Sequence, residues 1–381
     1  MRIFSRYLAA SMTALMALGL VVSLGNDLFA AEELPPPAPS AQGHPVPLDT
    51  TPIRWNPNDR NDLEAGELAG ELEWAGGIKI TSANPDFGGW SGLSVSADGS
   101  TLVAVSDTAN WLSAQILYDE KGRLSGLADA AMAPLLDLKG KPIGGKVMGD
   151  AEGLTITGSD PLKGDAYVSF ERLHRVWRYA LGEKGFLAVP SAVVTQRRLG
   201  EMPGNGGIEA LAIMPPETGG DEQKLLALSE DARDAKGRRR AFLIEGRNVE
   251  RLSTKLDEPF SPTDVARLPN GDFLMLERSF SLLAGPGMQM RLIKADEVKA
   301  GAMLEGRVLM STNNRRTIDN MEGLAVREIT EGAAKGQVVV YVISDDNFNP
   351  LQNTYLMMFR YQPLAPPMSE LTLPQDPAKV E

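Results

Sequence analysis

The stretch from Met321 to Asn347, MEGLAVREITEGAAKGQVVVYVISDDN, decides the fold. It reads as an acidic residue and a glycine, a short apolar strand, a loop, a stronger β-branched strand, and then Ser-Asp-Asp. The same order of features recurs in four other places, which begin at Gly92, Glu152, Glu209 and Asp264. The recurrence interval of about 55–60 residues is typical of a repeated supersecondary unit.

Most repeats have room for four strands, because short β-branched or aromatic runs alternate with turn dipeptides such as Asn270-Gly271. The fifth repeat offers only three strands, and one strand, Glu71 to Ile80, remains before the first repeat. If that strand pairs beside Tyr355 to Tyr361, five four-stranded sheets close into a ring that hides their edges. The sequence therefore predicts an all-β protein, a β-propeller closed by an N-terminal strand. Five blades are favoured, and six are possible if a long loop contains another.

The N-terminus has the pattern of a signal peptide, predicted over residues 1–31. Arg2 and Arg6 precede the apolar run from Tyr7 to Leu24, and small residues follow at Ala30 and Ala31. We expect export to a periplasm or secretion. The alternative is an uncleaved anchor, and it is the only membrane attachment that the pattern allows.

Proline-rich segments flank the repeats. Residues 32–65 form a predicted linker, residues 66–362 the propeller, and residues 363–381 a tail. Proline removes backbone donors from helices and sheets, so we expect both segments to be extended and mobile.

The composition excludes several classes of function. The sequence contains 38 Lys and Arg against 50 Asp and Glu, and this net charge of −12 disfavours nucleic acid as a partner. There is no cysteine, and His44 and His174 are the two histidines, so a disulfide, a thiolate nucleophile or a histidine-rich metal site is excluded. A monomer with a small-molecule substrate is the expectation.

Acidic residues are predicted to gather at one face of the ring. In a propeller the start of each innermost strand and the end of the second strand open on the same face. The strand-one starts are Ser91, Glu152, Glu209, Asp264 (with Thr263 as the alternative by one residue) and Glu322; the strand-two ends are Asp107, Glu171, Glu230 with Asp231, Glu277, and Asp345 with Asp346.

Crowded carboxylates repel one another unless some are protonated or a cation lies between them. Oxygen ligands without histidine favour a hard divalent cation, calcium in the first place. The predicted metal ligands are Glu152, Glu209, Asp264, Glu322 and Asp345. The alternative is a structural role, in which the acids cap turn amides or pair with arginines.

Basic and polar residues are predicted on the same face. Arg172, Arg278, Arg316 and Asn320 are the candidates for substrate binding, since guanidinium groups suit carboxylate or phosphate oxygens. The two arginines that follow strand-two acids, Arg172 and Arg278, could equally neutralise those acids.

The predicted catalytic residues are His174, Asp107 and Glu230. His174 could act as a general acid or base, or could pack structurally among its aromatic neighbours. The carboxylates are the candidates for activating water. The Gly-x-Ser-x-Gly elbow and the phosphate-binding loop with its lysine are both missing from the sequence.

Several motifs together resemble a known family. They are GLSVSADG, GDAEGLTI, SFER, GIEALAI, SPTDVARLPNGDFLMLERSF, RTIDNMEGLAV and ISDDNFNPLQNTYLMMFRY. Over roughly Leu68 to Tyr361 the chain resembles the phytase-like domain family, labelled esterase-like activity of phytase. The resemblance implies an exported bacterial propeller with phosphoesterase or esterase activity, and it transfers no catalytic residue. The family label points toward calcium-dependent propeller phytases, which have six blades where the strand count here predicts five.

These observations lead to one functional hypothesis and two alternatives. The first is an exported hydrolase of esters, phosphate esters in the first place, assisted by a metal at the mouth of the central channel. The second is a calcium-dependent lactonase-like enzyme. The third is a propeller without catalytic activity that binds a ligand or a protein.

Overall fold

A computed structural model describes residues 42–58, 68–215 and 223–361. The predicted signal peptide, both ends of the predicted linker and the predicted tail lie outside these residues. Within the described ranges, no helix has the length and apolar character needed to cross a membrane.

Strands form nearly all of the regular structure. Four strands precede the first repeat: β1 (His44–Pro45), β2 (Asp49–Pro52), β3 (Leu68–Ala69) and β4 (Leu72–Thr81). Blade one contains β5 (Trp90–Val95), β6 (Thr101–Ser106), β7 (Asn110–Tyr118) and β8 (Leu124–Pro134). Blade two contains β9 (Ala151–Ile156), β10 (Asp165–Phe170), β11 (Arg175–Ala180) and β12 (Ser191–Thr195).

The remaining blades repeat this order. Blade three contains β13 (Ile208–Ile213), β14 (Lys224–Arg233), β15 (Arg239–Glu245) and β16 (Asn248–Thr254). Blade four contains β17 (Ser261–Arg267), β18 (Phe273–Ser281) and β19 (Gly285–Ile293); β20 (Met303–Leu304) then adds to blade three beside β16, and β21 (Arg307–Asn313) completes blade four. Blade five contains β22 (Asn320–Glu328), β23 (Val338–Asp345) and β24 (Thr354–Tyr361).

Helices are short and lie between strands. They are α1 (Lys146–Gly149), α2 (Leu181–Lys184) and α3 (Gln196–Leu199), with 3₁₀ turns at Gly185–Leu187 and Ala295–Glu297. The protein is therefore all-β, as predicted.

The ring closes as the strand count predicts. β4 pairs antiparallel with β24, with Tyr355 opposite Lys79 and Leu356 opposite Ile78, so the N-terminal strand supplies the fourth strand of blade five. Five sheets result, and the five-bladed propeller is confirmed over the six-bladed alternative. Because β4 pairs with β24 on one side and with β2 on the other, neither β4 nor β24 is left as an open sheet edge.

The hydrophobic core lies between the blades. Five buried clusters, counted over the described residues, each join two neighbouring blades. In the cluster between blades one and two, Trp111 stacks on Phe186 and meets Tyr179 edge-on, with ring centroids 5.4 Å apart in both pairs. Such clusters hold the blades around the axis, because each sheet buries both of its faces.

The described part of the predicted linker, residues 42–58, is attached to the propeller. β1 pairs with β8 of blade one, and β2 pairs with β4. Trp55 is 1% exposed, stacks on Trp74 at 5.5 Å and meets Phe359 at 5.3 Å. Proline is tolerated here because these are edge strands.

Candidate functional site

Every innermost strand carries a bulge at the same end. In all five blades the pairing register between the innermost strand and the second strand shifts by one residue, so the innermost strand carries one residue without a partner across the sheet. The bulged residues, called the bulge ring below, are Ser91, Glu152, Glu209, Thr263 and Glu322. A bulge re-aims its side chain, and here it directs three glutamates toward one cavity.

The bulge explains the correction at Asp264. The sequence left the register open by one residue, and the structure puts Thr263 in the bulge ring instead. A shift of one residue turns a side chain to the other face of a strand. Asp264 is fully buried, and its carboxylate accepts backbone N–H groups from Val265 at 2.8 Å and Leu324 at 2.7 Å. The prediction of Asp264 as a metal ligand is therefore replaced by a structural role, in which it joins blade four to blade five.

The cavity at this end of the channel has a volume of about 860 Å³. Of the described residues that line it, nine are acidic and three are basic. The acids are Asp107, Asp150, Glu152, Glu171, Glu209, Glu230, Asp319, Glu322 and Asp345; the bases are Lys146, Arg172 and Arg278. Carboxylates therefore outnumber cations threefold. The predicted residues that the structure brings together here are Ser91, Asp107, Glu152, Glu171, Arg172, Glu209, Glu230, Arg278, Asn320, Glu322 and Asp345.

Two groups of three carboxylates lie close enough to share a cation. Asp150, Glu152 and Glu171 form the first group, and Glu171, Glu209 and Glu230 the second; within each, carboxylate oxygens lie within 4.8 Å of one another. Glu171 belongs to both groups. One of its oxygens accepts the backbone N–H groups of Gly206 and Gly207, which fixes its position. All donors are oxygen atoms, a set that suits a hard divalent cation.

Burial and mutual repulsion raise the pKa values of the bulge-ring glutamates. For Glu152 burial acts first and repulsion from Asp150 second, and together they raise its pKa well above the ordinary value. For Glu209 burial and then Glu152 have the same effect on the pKa. Burial also raises the pKa of Glu322 to about 8, although Arg278 opposes it. Without a cation, these groups therefore retain protons at pH values where exposed glutamates are ionised.

Burial also raises the pKa values of three acids at the ends of the second strands, Asp345, Asp107 and Glu230. Burial raises the pKa of Asp345 to about 7, against the opposing N–H of Asn347, which donates to its carboxylate at 2.6 Å. Burial likewise raises the pKa of Asp107 and Glu230, although Lys146 and Arg278 respectively oppose the shift. Asp107 and Glu230 both line the cavity, so the position of these two predicted catalytic carboxylates is compatible with activation of water.

The cations of the cavity are paired with acids. Arg278 reaches Glu322 at 2.9 Å and Glu230 at 3.1 Å, and Glu322 and then Glu230 raise the pKa of Arg278 against the effect of burial. Lys146 forms ion pairs with Asp107 and, at 3.2 Å, with Asp150. A phosphate or carboxylate entering the cavity would meet these groups with part of their charge already neutralised.

Arg172 and Asn320 also line the cavity. The Arg172 guanidinium pairs with Asp150, and the residue adopts a positive φ of 57°, which directs the backbone away from the strand that ends at Phe170. Asn320 donates to Asp345 at 3.4 Å. Their predicted role in substrate binding is compatible with these positions and stays a prediction.

The structure does not bring His174, Arg316 and Glu277 together with the residues that line the cavity. His174 is 1% exposed and donates from Nε2 to the carbonyl of Pro203 at 2.6 Å, so it supports the loop that carries Gly206 and Gly207. Arg316 lies over the ring of Trp55 at 6.0 Å, beside a different surface pocket. Glu277 is fully buried and binds Arg291 and Gln289.

The sequence analysis missed Asp150, Lys146 and Asp319. Asp150 and Lys146 precede the second repeat in GGKVMGDAEGL, in a segment without strand periodicity, and Asp319 precedes the fifth in RTIDNMEGL. The sequence did contain a signal for the two acids: Asp150 lies two residues before Glu152, and Asp319 lies three residues before Glu322.

Comparisons with known proteins identify a family. No curated protein matches the chain in sequence. Among solved structures, a mutant of AofleA from Arthrobotrys oligospora is similar at 8% identity and a TM-score of 0.37, over 82% of this chain and 87% of that one. The family model described as esterase-like activity of phytase matches residues 85–348, which is more than half of the chain. The chain therefore belongs to the phytase-like family.

Proposed function

We propose that this protein is an exported hydrolase of ester substrates, with phosphate esters as the favoured class, and that a divalent cation assists the reaction. The observation that carries the proposal is the pair of carboxylate triads that share Glu171 at the floor of an open cavity. Membership of a family described by esterase activity supports hydrolysis. The signal-peptide pattern supports export, to a periplasm or to the outside of the cell.

The residues present fit a hard cation. Asp150, Glu152, Glu171, Glu209 and Glu230 would hold it, and calcium is favoured because all of the donors are oxygen atoms and several are carboxylates. When bound, such an ion supplies Lewis acidity toward an ester oxygen and toward water. It would also offset the repulsion that raises the pKa values of Glu152 and Glu209.

The remaining groups have separate tasks. Arg278 and Arg172 would bind the anionic oxygens of a phosphate ester, since both open onto the cavity and a guanidinium presents several N–H donors. Asn320 would donate to the same group. Asp107, which is not one of these five ligands, would accept a proton from the attacking water, because burial raises its pKa and a carboxylate with a raised pKa is the stronger base.

Metal analysis and enzyme assays on one set of proteins test this proposal. Calcium binding is measured by isothermal titration, and turnover is measured with p-nitrophenyl phosphate, p-nitrophenyl acetate and dihydrocoumarin, with and without chelator. We expect chelator-sensitive turnover that is fastest with the phosphate. Faster turnover of dihydrocoumarin would favour the lactonase-like alternative, and turnover of none, with no bound ion, would favour a binding propeller.

Glu171→Gln is the decisive variant. The amide retains an oxygen for the Gly206 and Gly207 N–H groups, so the fold is kept while both triads lose a charge. We expect calcium affinity to fall at least about tenfold, equal to about 1.4 kcal/mol. Glu73→Gln is the matched control, because Glu73 pairs with Arg360 on blade five and does not line the cavity. Equal calcium affinity in Glu171→Gln and Glu73→Gln would contradict the assignment of the two triads as the calcium site.

A further inference from the structure

Large apolar side chains are exposed around the mouth of the charged cavity. Phe280 and Leu351 line the cavity itself and are 65% and 88% exposed. Leu282 and Leu283 are almost fully exposed, at 95% and 101%. Single exposed hydrophobic residues are common on protein surfaces, but a group that adjoins a pocket indicates a binding surface.

The hairpin of blade four places the two leucines at the edge of the cavity. β18 and β19 remain paired as far as Phe280 opposite Pro286 and Ser281 opposite Gly285. Both Phe280 and Pro286 line the cavity, so residues 282–284 form the tip immediately beyond it. The Ser281 hydroxyl accepts the N–H of Ala284 at 2.9 Å, which closes the turn. The exposed position of Leu282 and Leu283 is therefore part of an ordered hairpin.

A second segment extends the apolar surface. Val147 and Met148 are 60% and 38% exposed, and they directly follow Lys146, which binds Asp107 inside the cavity. We call Val147, Met148, Phe280, Leu282, Leu283 and Leu351 the apolar rim. Phe280 and Leu351 line the acidic cavity, Leu282 and Leu283 form the hairpin tip beyond Phe280, and Val147 and Met148 adjoin Lys146 of the cavity lining in sequence.

We propose that the substrate is an amphiphile, an ester whose polar group enters the cavity and whose aliphatic acyl or alkyl chain packs on the apolar rim. This inference rests on the proposed hydrolase function and specifies its substrate class. Phe280 and Leu351 belong to both the cavity lining and the rim, so a ligand that fills the cavity also touches the rim. A small, wholly polar ester would leave this apolar surface in water, and burying it is favourable.

Two variants distinguish the effect of the apolar rim from the effect of an exposed leucine elsewhere on the surface. Leu282→Ser combined with Leu283→Ser changes only side chains that are already exposed, so the fold is retained. Leu117→Ser is the matched control: Leu117 is 39% exposed and lies at the opposite end of blade one, next to Tyr118, which bonds to the turn at Gly99.

Binding of non-hydrolysable phosphonates tests the proposal apart from turnover. Methylphosphonate and octylphosphonate are titrated by calorimetry into the calcium-supplemented wild-type protein and both variants. We expect octylphosphonate to bind wild type and Leu117→Ser at least about tenfold more tightly than methylphosphonate, since burial of apolar surface adds to affinity. In the double variant the ratio should fall to about threefold or less, with methylphosphonate affinity unchanged.

The outcomes distinguish this inference from the proposed function. Equal affinity for the two phosphonates in wild type, or no binding of either, overturns the amphiphile assignment. Chain-length discrimination without hydrolysis of any ester overturns the enzyme assignment and retains the binding site. Two further results, each without a chain-length effect, would assign the rim differently. If wild type sediments with phosphatidylcholine vesicles and the double variant does not, the rim binds a bilayer. If wild type dimerises in sedimentation velocity and the double variant does not, the rim binds a second copy of the chain.

Discussion

The guanidinium Nε of Arg278, in blade four, lies 2.9 Å from the carboxylate of Glu322 in blade five. This contact crosses a boundary between blades at the level of the bulge ring. The same guanidinium reaches Glu230 of blade three at 3.1 Å, so one cation joins acids from the blades on both sides. Charge pairing and assembly of the ring are therefore linked at this residue.

Arg278→Gln should destabilise the protein. The change leaves two largely buried carboxyl groups without their cation, and removing one partner of a buried pair costs roughly 3–5 kcal/mol. Urea unfolding measures the loss. Arg178→Gln is the control, because Arg178 and its partner Asp165 are both partly exposed to solvent, so the loss of this ion pair should have little effect. Equal stability of both variants would contradict the bridging role of Arg278.

Stability of the metal-free protein should fall as the pH rises. Burial raises the pKa of Glu322 to about 8 from 4.5, and that of Asp345 to about 7 from 3.8. A raised pKa means that the folded state binds protons more tightly than the unfolded state. The resulting stabilisation is complete below the unfolded pKa and is lost as the pH rises through the folded pKa.

Thermal unfolding in chelator at about pH 5 and about pH 8 measures this loss. We expect a lower midpoint at the higher pH, and partial recovery on adding calcium, whose charge at the triads would offset the repulsion that neighbouring carboxylates such as Glu230 exert on Glu322. Glu322→Gln should flatten the pH dependence because it removes one of the titrating groups. A midpoint that rises with pH in the chelated protein would contradict the prediction.

Asp264→Ala should reduce stability without changing calcium affinity. The substitution leaves the buried N–H groups of Val265 and Leu324 without their acceptor, at a cost of roughly 1–3 kcal/mol for each group. Unfolding and calcium titration are measured on the same preparation. A fall in calcium affinity equal to that of Glu171→Gln would return Asp264 to the set of metal ligands.

Trp55→Ala should destabilise the propeller, although Trp55 lies in the proline-rich N-terminal segment. Its ring packs between Trp74 and Phe359 of blade five, and removing a buried aromatic side chain costs about 3–5 kcal/mol. Urea unfolding provides the measurement. Phe348→Ala, at an exposed residue, should have a small effect. If Trp55→Ala unfolds like wild type, the segment does not contribute to the fold.

The propeller could be predicted because its signals are local and repeated. Alternating apolar runs, turn dipeptides and the recurrence of an acid-glycine start depend on neighbouring residues, and the missing fourth strand of blade five pointed to Leu72–Thr81. The meeting of Glu152, Glu209 and Glu322 followed from the same recurrence, since identical positions in a ring face the same axis.

Other parts required the tertiary structure. Whether Thr263 or Asp264 occupies the bulge depends on a shift of one residue, which leaves no trace in the hydrophobic pattern. The edge pairing of His44–Pro45 with blade one depends on a surface more than 80 residues away in sequence. The structure places His174 and Arg316 away from the cavity lining, because adjacency in sequence to a strand end does not specify the direction of a side chain.

The sequence by itself determined the all-β repeat, the closing strand and the acidic character of one mouth, and it favoured five blades over six, because each depends on periodicity and composition. Only the tertiary structure decided which acids share a cation-sized space, which are satisfied by backbone amides, and that an apolar rim borders them. Those outcomes depend on distances of a few ångströms between residues of different blades, and such distances are determined by packing across the ring rather than by any local run of residues.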